Sequence, residues 1–288
     1  MTRKAKIIIG ILTFLLFGAV ALYFFVLRLE RITYYNGSYE DYVNEENTLE
    51  EEVGYRNTEE EIFIDPSCNV FGIALHGDLY TYGDEHSSEE IWYVLDTIEK
   101  DEDYKNIKAV ILEIDSYGGI PVAGEEIANK LKTMEIPTIA VIRSAGVSAA
   151  YWAATGADRI FASKVSDVGG IGVTMSYLDE SKLNEKEGYT WNTLSVGKFK
   201  DAGSDQKVLT EEEKLLFERD LKIIYEEFIK NVALNRNLSA DHVKSLADGS
   251  TVLGSSALSL GLIDEIGYIN EVENYIRNNY SFEPKICW

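Results

Sequence analysis

The chain has 288 residues, room for one large domain or two small ones, and its 45% hydrophobic content with four prolines can support a proper core. Against 49 acidic residues stand 27 basic ones, a formal net charge of −22 with a pI near 4.5. Without a basic cluster such a surface repels nucleic-acid phosphates, so no nucleic-acid partner is expected. HExxH, Walker A and EF-hand patterns are missing as well, so neither a metal nor a cofactor is expected.

In chain order, residues 1–6 read as a short cytoplasmic N-terminus and 7–27 (IIIGILTFLLFGAVALYFFVL) as a transmembrane anchor. The run carries no charge, and as a helix rising about 1.5 Å per residue it would span about 30 Å, the thickness of a bilayer core. Arg3, Lys4 and Lys6 precede it, while Arg28 and Arg31 follow, offset by Glu30. That bias places the N-terminus inside and the bulk of the chain outside the cytoplasmic membrane. Ala19-Val20-Ala21 resembles a signal-peptide cleavage site, but the apolar run continues six residues past it, which favours an uncleaved anchor. Residues 28–66 are strongly acidic with no helical apolar stripe, as expected of a solvated stalk.

From residue 67 to 280 strands and helices alternate, which indicates an α/β domain, with 281–288 as a C-terminal tail. VFGIALHGDLY (70–80) reads as a strand, and Ser87-Ser-Glu-Glu90 as a capping box opening a helix with the stripe Ile91, Val94, Leu95, Ile98. IKAVILEID (107–115) and PTIAVIR (137–143) are nearly continuous apolar runs, typical of parallel strands covered on both faces. A helix is expected from Pro121, and short strands at 159–162, 170–175 and 190–196. Thr210-Glu-Glu-Glu213 caps a long helix to about Asn235, with Leu216, Leu221, Ile224, Phe228 and Val232 on its apolar side. For Cys68 and Cys287, far apart and without metal spacing, two isolated thiols are the commoner arrangement; a disulfide is the alternative outside the cytosol.

Two strand-to-helix junctions, Ser116-Tyr-Gly-Gly119 and Ala145-Gly-Val-Ser-Ala-Ala150, lie where α/β folds place their sites. A helix starting at Ser148 offers free N–H groups and the positive end of its dipole. Gly118 and Gly119 allow close backbone approach. Ser148 thus reads as a nucleophile, with Gly118, Gly119 and Ala149 as an oxyanion hole. No histidine lies within sixty residues of it. The bland reading of Ser148 is a close-packing residue, and that of Lys200, beside Asp201, a solvated surface lysine.

The segments DSYGG (115–119), SAAYWAATGADRIFAS (148–163), GGIGV (169–173), VGKFKDAGS (196–204) and DGSTVLGSSALSLGLIDEIG (248–267) together carry a resemblance. The chain resembles the signal peptide peptidase A family, membrane-anchored serine proteases with a Ser/Lys dyad on a crotonase-like, Clp-protease-like core of ββα units. The resemblance implies Ser148 as nucleophile and Lys200 as general base. It also implies a homo-oligomeric ring, octameric in the short forms, with the lysine of one protomer meeting the serine of its neighbour. The implied activity is endoproteolysis of remnant signal peptides or other extended apolar peptides.

A lysine can serve as base only when neutral. Its pKa, near 10.4 in water, has to fall, usually through burial against apolar surface without a carboxylate. On an extended segment Asp201 would point away from such a site. Lys198 is the decoy two residues away, His76, His86 and His242 are the rival bases for a Ser/His triad, and Tyr151 and Trp152 are candidate pocket residues weighed against core packing. Three positions depart from the pattern: Tyr117 stands for a usual proline, Gly170 for a serine that bonds the lysine, and Ser250 for a basic residue. Gly170 motivates a rival reading as a catalytically silent membrane scaffold, and the related core a second rival, an acyl-CoA hydratase or isomerase.

Overall fold

The structure is a computed structural model that describes residues 67–83 and 86–288. The expected cytoplasmic segment 1–6, anchor 7–27 and stalk 28–66 lie outside the described residues, among which no helix is long and apolar enough to cross a membrane.

Strand β1 (Val70–Leu79) is followed by helix α1 (Ser88–Lys100), β2 (Ala109–Gly119), α2 (Pro121–Thr133), β3 (Thr138–Val147), α3 (Ala149–Thr155), β4 (Arg159–Ala162) and β5 (Asp167–Gly169). Then come α4 (Ser181–Glu187), α5 (Glu211–Asn235), α6 (Ala240–Leu246), β6 (Thr251–Leu253), α7 (Gly254–Leu260), β7 (Glu265–Ile266), α8 (Ile269–Tyr280) and β8 (Ile286–Cys287). The strands form one mixed sheet in the order β6-β5-β3-β2-β1-β8, with β4 beside β3 and β7 beside β4. Every pairing is parallel except β5 with β6.

The apolar run of β2 is explained by its two faces. Val110, Leu112 and Ile114 join the larger core with Ile91, Leu95, Ile127 and Leu131 of α1 and α2. Ala109 and Ile111 turn to a second core against Val272 and Ile276 of α8. Successive side chains of a strand point to opposite faces, so a strand covered twice has to be apolar at every position.

Local signals hold well at helix starts. The Ser87 hydroxyl accepts from the Glu90 N–H at the head of α1, and Pro121 opens α2. At α5, Thr210 and Glu213 form the reciprocal box. Lys207, followed by Thr210, holds the Glu213 carboxyl down at about 2. The stripe of α5 is only partly used: Phe228 and Val232 are buried, whereas Leu216, Leu221 and Ile224 are half-exposed.

Three sequence expectations are corrected. β2 and β3 run on to Gly119 and Val147, four residues past the apolar runs that announced them, because they pair with each other at Ser116 and Gly146. No strand forms at 170–175 or 190–196; residues 170–180 and 189–195 carry no regular structure, and β5 lies just ahead at Asp167–Gly169. A strand needs a continuous ladder for its N–H and C=O groups; in the first segment only Gly170 N, donating to Ser250 O at 3.2 Å, and Ile171 O, accepting from Gly249 N at 3.1 Å, are paired, and no ladder continues from them. Cys68 and Cys287, expected as isolated thiols, form a disulfide, with Cα atoms 6.0 Å apart.

The bridge recasts residues 281–288, which are no loose tail. Ile286 and Cys287 pair with Val70 and Phe71. The Asn69 amide donates to Glu283 O at 2.9 Å and accepts from Lys285 N at 2.7 Å. Trp288 closes over Gly72, where any side chain would collide with its ring.

Candidate active site

Ser148 sits between the end of β3 and the start of α3 as the helix N-cap, with φ 53° and ψ −125°. A serine at an N-cap ordinarily folds its hydroxyl back onto the first-turn N–H groups. Here it makes no cap hydrogen bond, and its Oγ has no partner among the described residues. The positive φ is strained for a residue with a Cβ, at a cost of order 1–3 kcal/mol. It is held from both sides: Ser148 N donates to Gly169 O at 2.8 Å, and Trp152 N donates to Ser148 O at 2.9 Å. The serine is half-buried, its hydroxyl neither capped nor packed away.

Gly118 stands against it. A Cβ at this position would lie 2.8 Å from Ser148 Cβ and 3.0 Å from Ala149 N, and φ is 104°. Only glycine lets the backbone pass so close. The Gly118 N–H donates to the buried Ser116 Oγ at 3.0 Å, so it is already engaged. This qualifies the expected oxyanion hole. The Ala149 N–H belongs to the open first turn of α3, but Gly118 supplies proximity, with its donor occupied. Gly119 (φ 155°) is packed onto the backbone of Leu79. Ser116 escaped the sequence reading because its role depends on a turn within one strand end.

Tyr151 and Trp152, the candidate pocket residues, are core residues, 0% and 3% exposed. Tyr151 donates its hydroxyl to Leu262 O at 2.8 Å, and burial pushes its pKa up. Trp152 stacks on Phe228 with ring centroids 4.6 Å apart. Their positions on α3 face α5 and the sheet interior, which corrects the pocket assignment within one chain.

Lys200 lies in a turn, its N–H bonded to Gly197 O at 3.2 Å, and its side chain is exposed. No described carboxylate pairs with it, and no hydrogen bond joins it to Ser148 within the chain. The segment is not extended, and Asp201 turns to Lys207 Nζ at 3.3 Å. Lys198 is tied to Glu212 at 2.7 Å. The histidines are engaged elsewhere: His76 with Glu113 at 3.2 Å, His86 with Ala74 O at 3.1 Å, His242 with Leu260 O at 3.0 Å. None bonds Ser148, so one chain presents a candidate nucleophile and a candidate base that do not meet.

Residues 130–281 match the family described as peptidase family S49, more than half of the chain. The chain belongs to that family. It is 34% identical over 196 residues to a putative protease of Methanocaldococcus jannaschii, covering 65% of this chain and 62% of the relative. To a putative signal peptide peptidase SppA of Enterococcus faecium it is 37% identical over 177 residues, 60% of this chain and 52% of the relative. The chain therefore spans about half to three-fifths of the length of these relatives. Among solved structures, a ClpP1 mutant from Listeria monocytogenes superposes with a TM-score of 0.43 at 13% identity, over 68% of this chain and 91% of that one.

Proposed function

We propose that this S49 member is a membrane-anchored serine endopeptidase that cleaves extended apolar peptides, remnant signal peptides among them, at the outer face of the cytoplasmic membrane. The observation that carries the reading is the uncapped hydroxyl of Ser148, strained outward beside Gly118 and the free first turn of α3. Ser148 Oγ attacks the peptide carbonyl while a neutral Lys200 amine takes its proton. The oxyanion is received by the Ala149 N–H and a Gly118–Gly119 donor, the former glycine letting go of Ser116. The resulting ammonium then protonates the leaving amine, and water, deprotonated by the same lysine, releases the acyl group.

A lysine amine is kept neutral by burial against apolar surface, and Lys200 is exposed among the described residues, so the proposal gives it a dry surface from a partner. The neighbouring segment supports a second copy as that surface. Leu194 and Val196 are 100% and 98% exposed, and Met175, Tyr177, Leu178, Tyr189 and Trp191, nearby in the chain, are exposed as well. Apolar exposure on this scale marks an interaction face. The ring of protomers, eight in number, with the dyad formed across each junction, and the crotonase- and Clp-protease-like core belong to the same proposal. The disulfide favours an oxidising compartment and hence an extracytoplasmic domain behind the anchor 7–27. Acid-trapped cells should show both cysteines blocked to maleimide until reduction; ready labelling would argue for a reducing side.

Gly170 favours a second reading, an assembled but silent scaffold. Its φ of 58° and the 2.5 Å approach a Cβ would make to Val147 Cγ1 leave no space for a side-chain hydroxyl there. A serine-directed acylating probe separates the two readings, since a scaffold stays unlabelled in assembled material. Hydrolysis of apolar peptides by the full chain in membranes tests the residues. Ser148→Ala and Lys200→Ala are each expected to lose about 10⁴-fold or more in kcat, with Lys198→Ala near wild type. Turnover surviving in Ser148→Ala removes the nucleophile, and loss in Lys198→Ala with retention in Lys200→Ala reassigns the base.

A further inference from the structure

A cavity of about 120 Å³ opens between β5, β6 and the end of α6. Its floor is apolar and deeply buried, formed by Val168, Ile171 and Leu262, and its mouth is polar, formed by Ser245, Asp248 and Ser250. Its wall on the Ser148 side is the dipeptide Gly169–Gly170. On one side Gly169 O accepts from Ser148 N at 2.8 Å; on the other Gly170 N donates to Ser250 O at 3.2 Å. A Cβ at Gly170 would lie 3.5 Å from Ser148 N. The cavity thus begins one peptide width from the nucleophile's own backbone.

Asp248 sets the chemistry of the mouth. Its carboxylate accepts from the Ser250 N–H at 2.9 Å and the Ser250 hydroxyl at 2.6 Å, which hold it against Ser250, another residue of the lining. These bonds lower its pKa, the hydroxyl first, so it stays ionised at neutral pH. No lysine or arginine pairs with it among the described residues. A fixed anion above an apolar floor complements a side chain with an aliphatic stem and a cationic head, which packs its methylenes and keeps its charge at the rim. An acidic side chain is repelled there. A neutral aliphatic one meets the floor but leaves the carboxylate unanswered.

Resting on the reading of Ser148 as nucleophile, we propose that this cavity is a specificity subsite for a lysine or arginine of the peptide substrate, flanking the bond that is cut and recognised by Asp248. Signal peptides, whose charged end is basic, carry such residues beside an apolar run.

The test compares paired peptides that carry lysine or its neutral isostere norleucine at each position on the acyl side of the cleaved bond. The enzyme is the full chain in membranes, and the readout is the ratio of kcat/KM within each pair. Because each ratio is internal to one enzyme preparation, a general loss of activity does not mask it. At one position wild type is expected to favour lysine, and Asp248→Asn to lower that ratio about fivefold, the scale of a partly exposed ion pair. Asp248→Glu keeps the preference, and Asp248→Lys turns it toward norleucine. A ratio that Asp248→Asn leaves unchanged at every position, or norleucine preferred throughout by wild type, overturns the subsite. Failure of the nucleophile reading shows separately, as cleavage of both peptides surviving Ser148→Ala.

Discussion

At the level of single residues, the geometry around Ser148 depends on what is missing as much as on what is present. The serine takes an N-cap position without capping, and the strain this entails is supported by one bond to Gly169 O and one from Trp152 N. Gly118 is the other half of the arrangement, since its missing Cβ leaves open the space in front of Ala149 N. Gly118→Ala is expected to lower kcat by about a hundredfold or more, the scale of a lost oxyanion donor, with the fold retained. Circular dichroism would confirm the fold and a peptide assay the loss; near wild-type turnover would show that the oxyanion is held elsewhere. Ser148 was legible from small residues at a strand–helix junction. Ser116, which holds the Gly118 N–H, was not, because a two-residue turn inside a strand end leaves no periodic trace.

Among the elements, those that interact with their own neighbours in sequence were read correctly. The caps at Ser87 and Thr210 start helices where expected, because a cap is a bond between residues two or three apart, and Pro121 does so because its fixed φ suits the first helical position. The continuous apolar runs became central strands for a similar reason, as double coverage demands an unbroken apolar sequence. Segments 170–175 and 190–196 show the limit. Strand-like composition is not a strand without a ladder, and whether a partner exists is decided elsewhere in the chain. Strand β8 is the converse case, two residues long and held by the Cys68–Cys287 bridge across 219 positions. Cys68→Ser with Cys287→Ser should cost about 2–5 kcal/mol of stability, the usual range for removing a native bridge. A Tm equal to that of the oxidised wild type would mean that the Asn69 bonds and Trp288 hold the edge unaided.

For the molecule as a whole, the question is why a candidate base should stand in water. Lys200 is exposed in a turn, flanked by Val196 and Leu194 with no apolar cover, while the N-terminal half of α5 leaves Leu216, Leu221 and Ile224 half-open. A surface of this kind is costly in a monomer and normal in a subunit. If the dyad forms between copies, two inactive variants should complement each other. Mixed assemblies of Ser148→Ala and Lys200→Ala contain junctions where an intact serine faces an intact lysine. They are expected to recover about a quarter of wild-type activity when the chains mix at random in equal amounts. Activity no higher than either variant alone would place serine and lysine within one chain, against the proposed ring.

The sequence alone determined the α/β class, the helix starts, the central strands and the candidacy of Ser148 and Lys200. Each of those follows from short-range periodicity, capping or a run of motifs, all written in consecutive residues. Tertiary structure alone decided that the serine leaves its cap unmade, that Gly118 rather than Gly119 comes against it, and that Tyr151 and Trp152 belong to the core. It also decided that Cys68 reaches Cys287 and that a cavity with Asp248 at its mouth opens behind Gly170. These depend on which distant segments the sheet sets side by side, a property of three-dimensional packing that no local stretch of chain encodes.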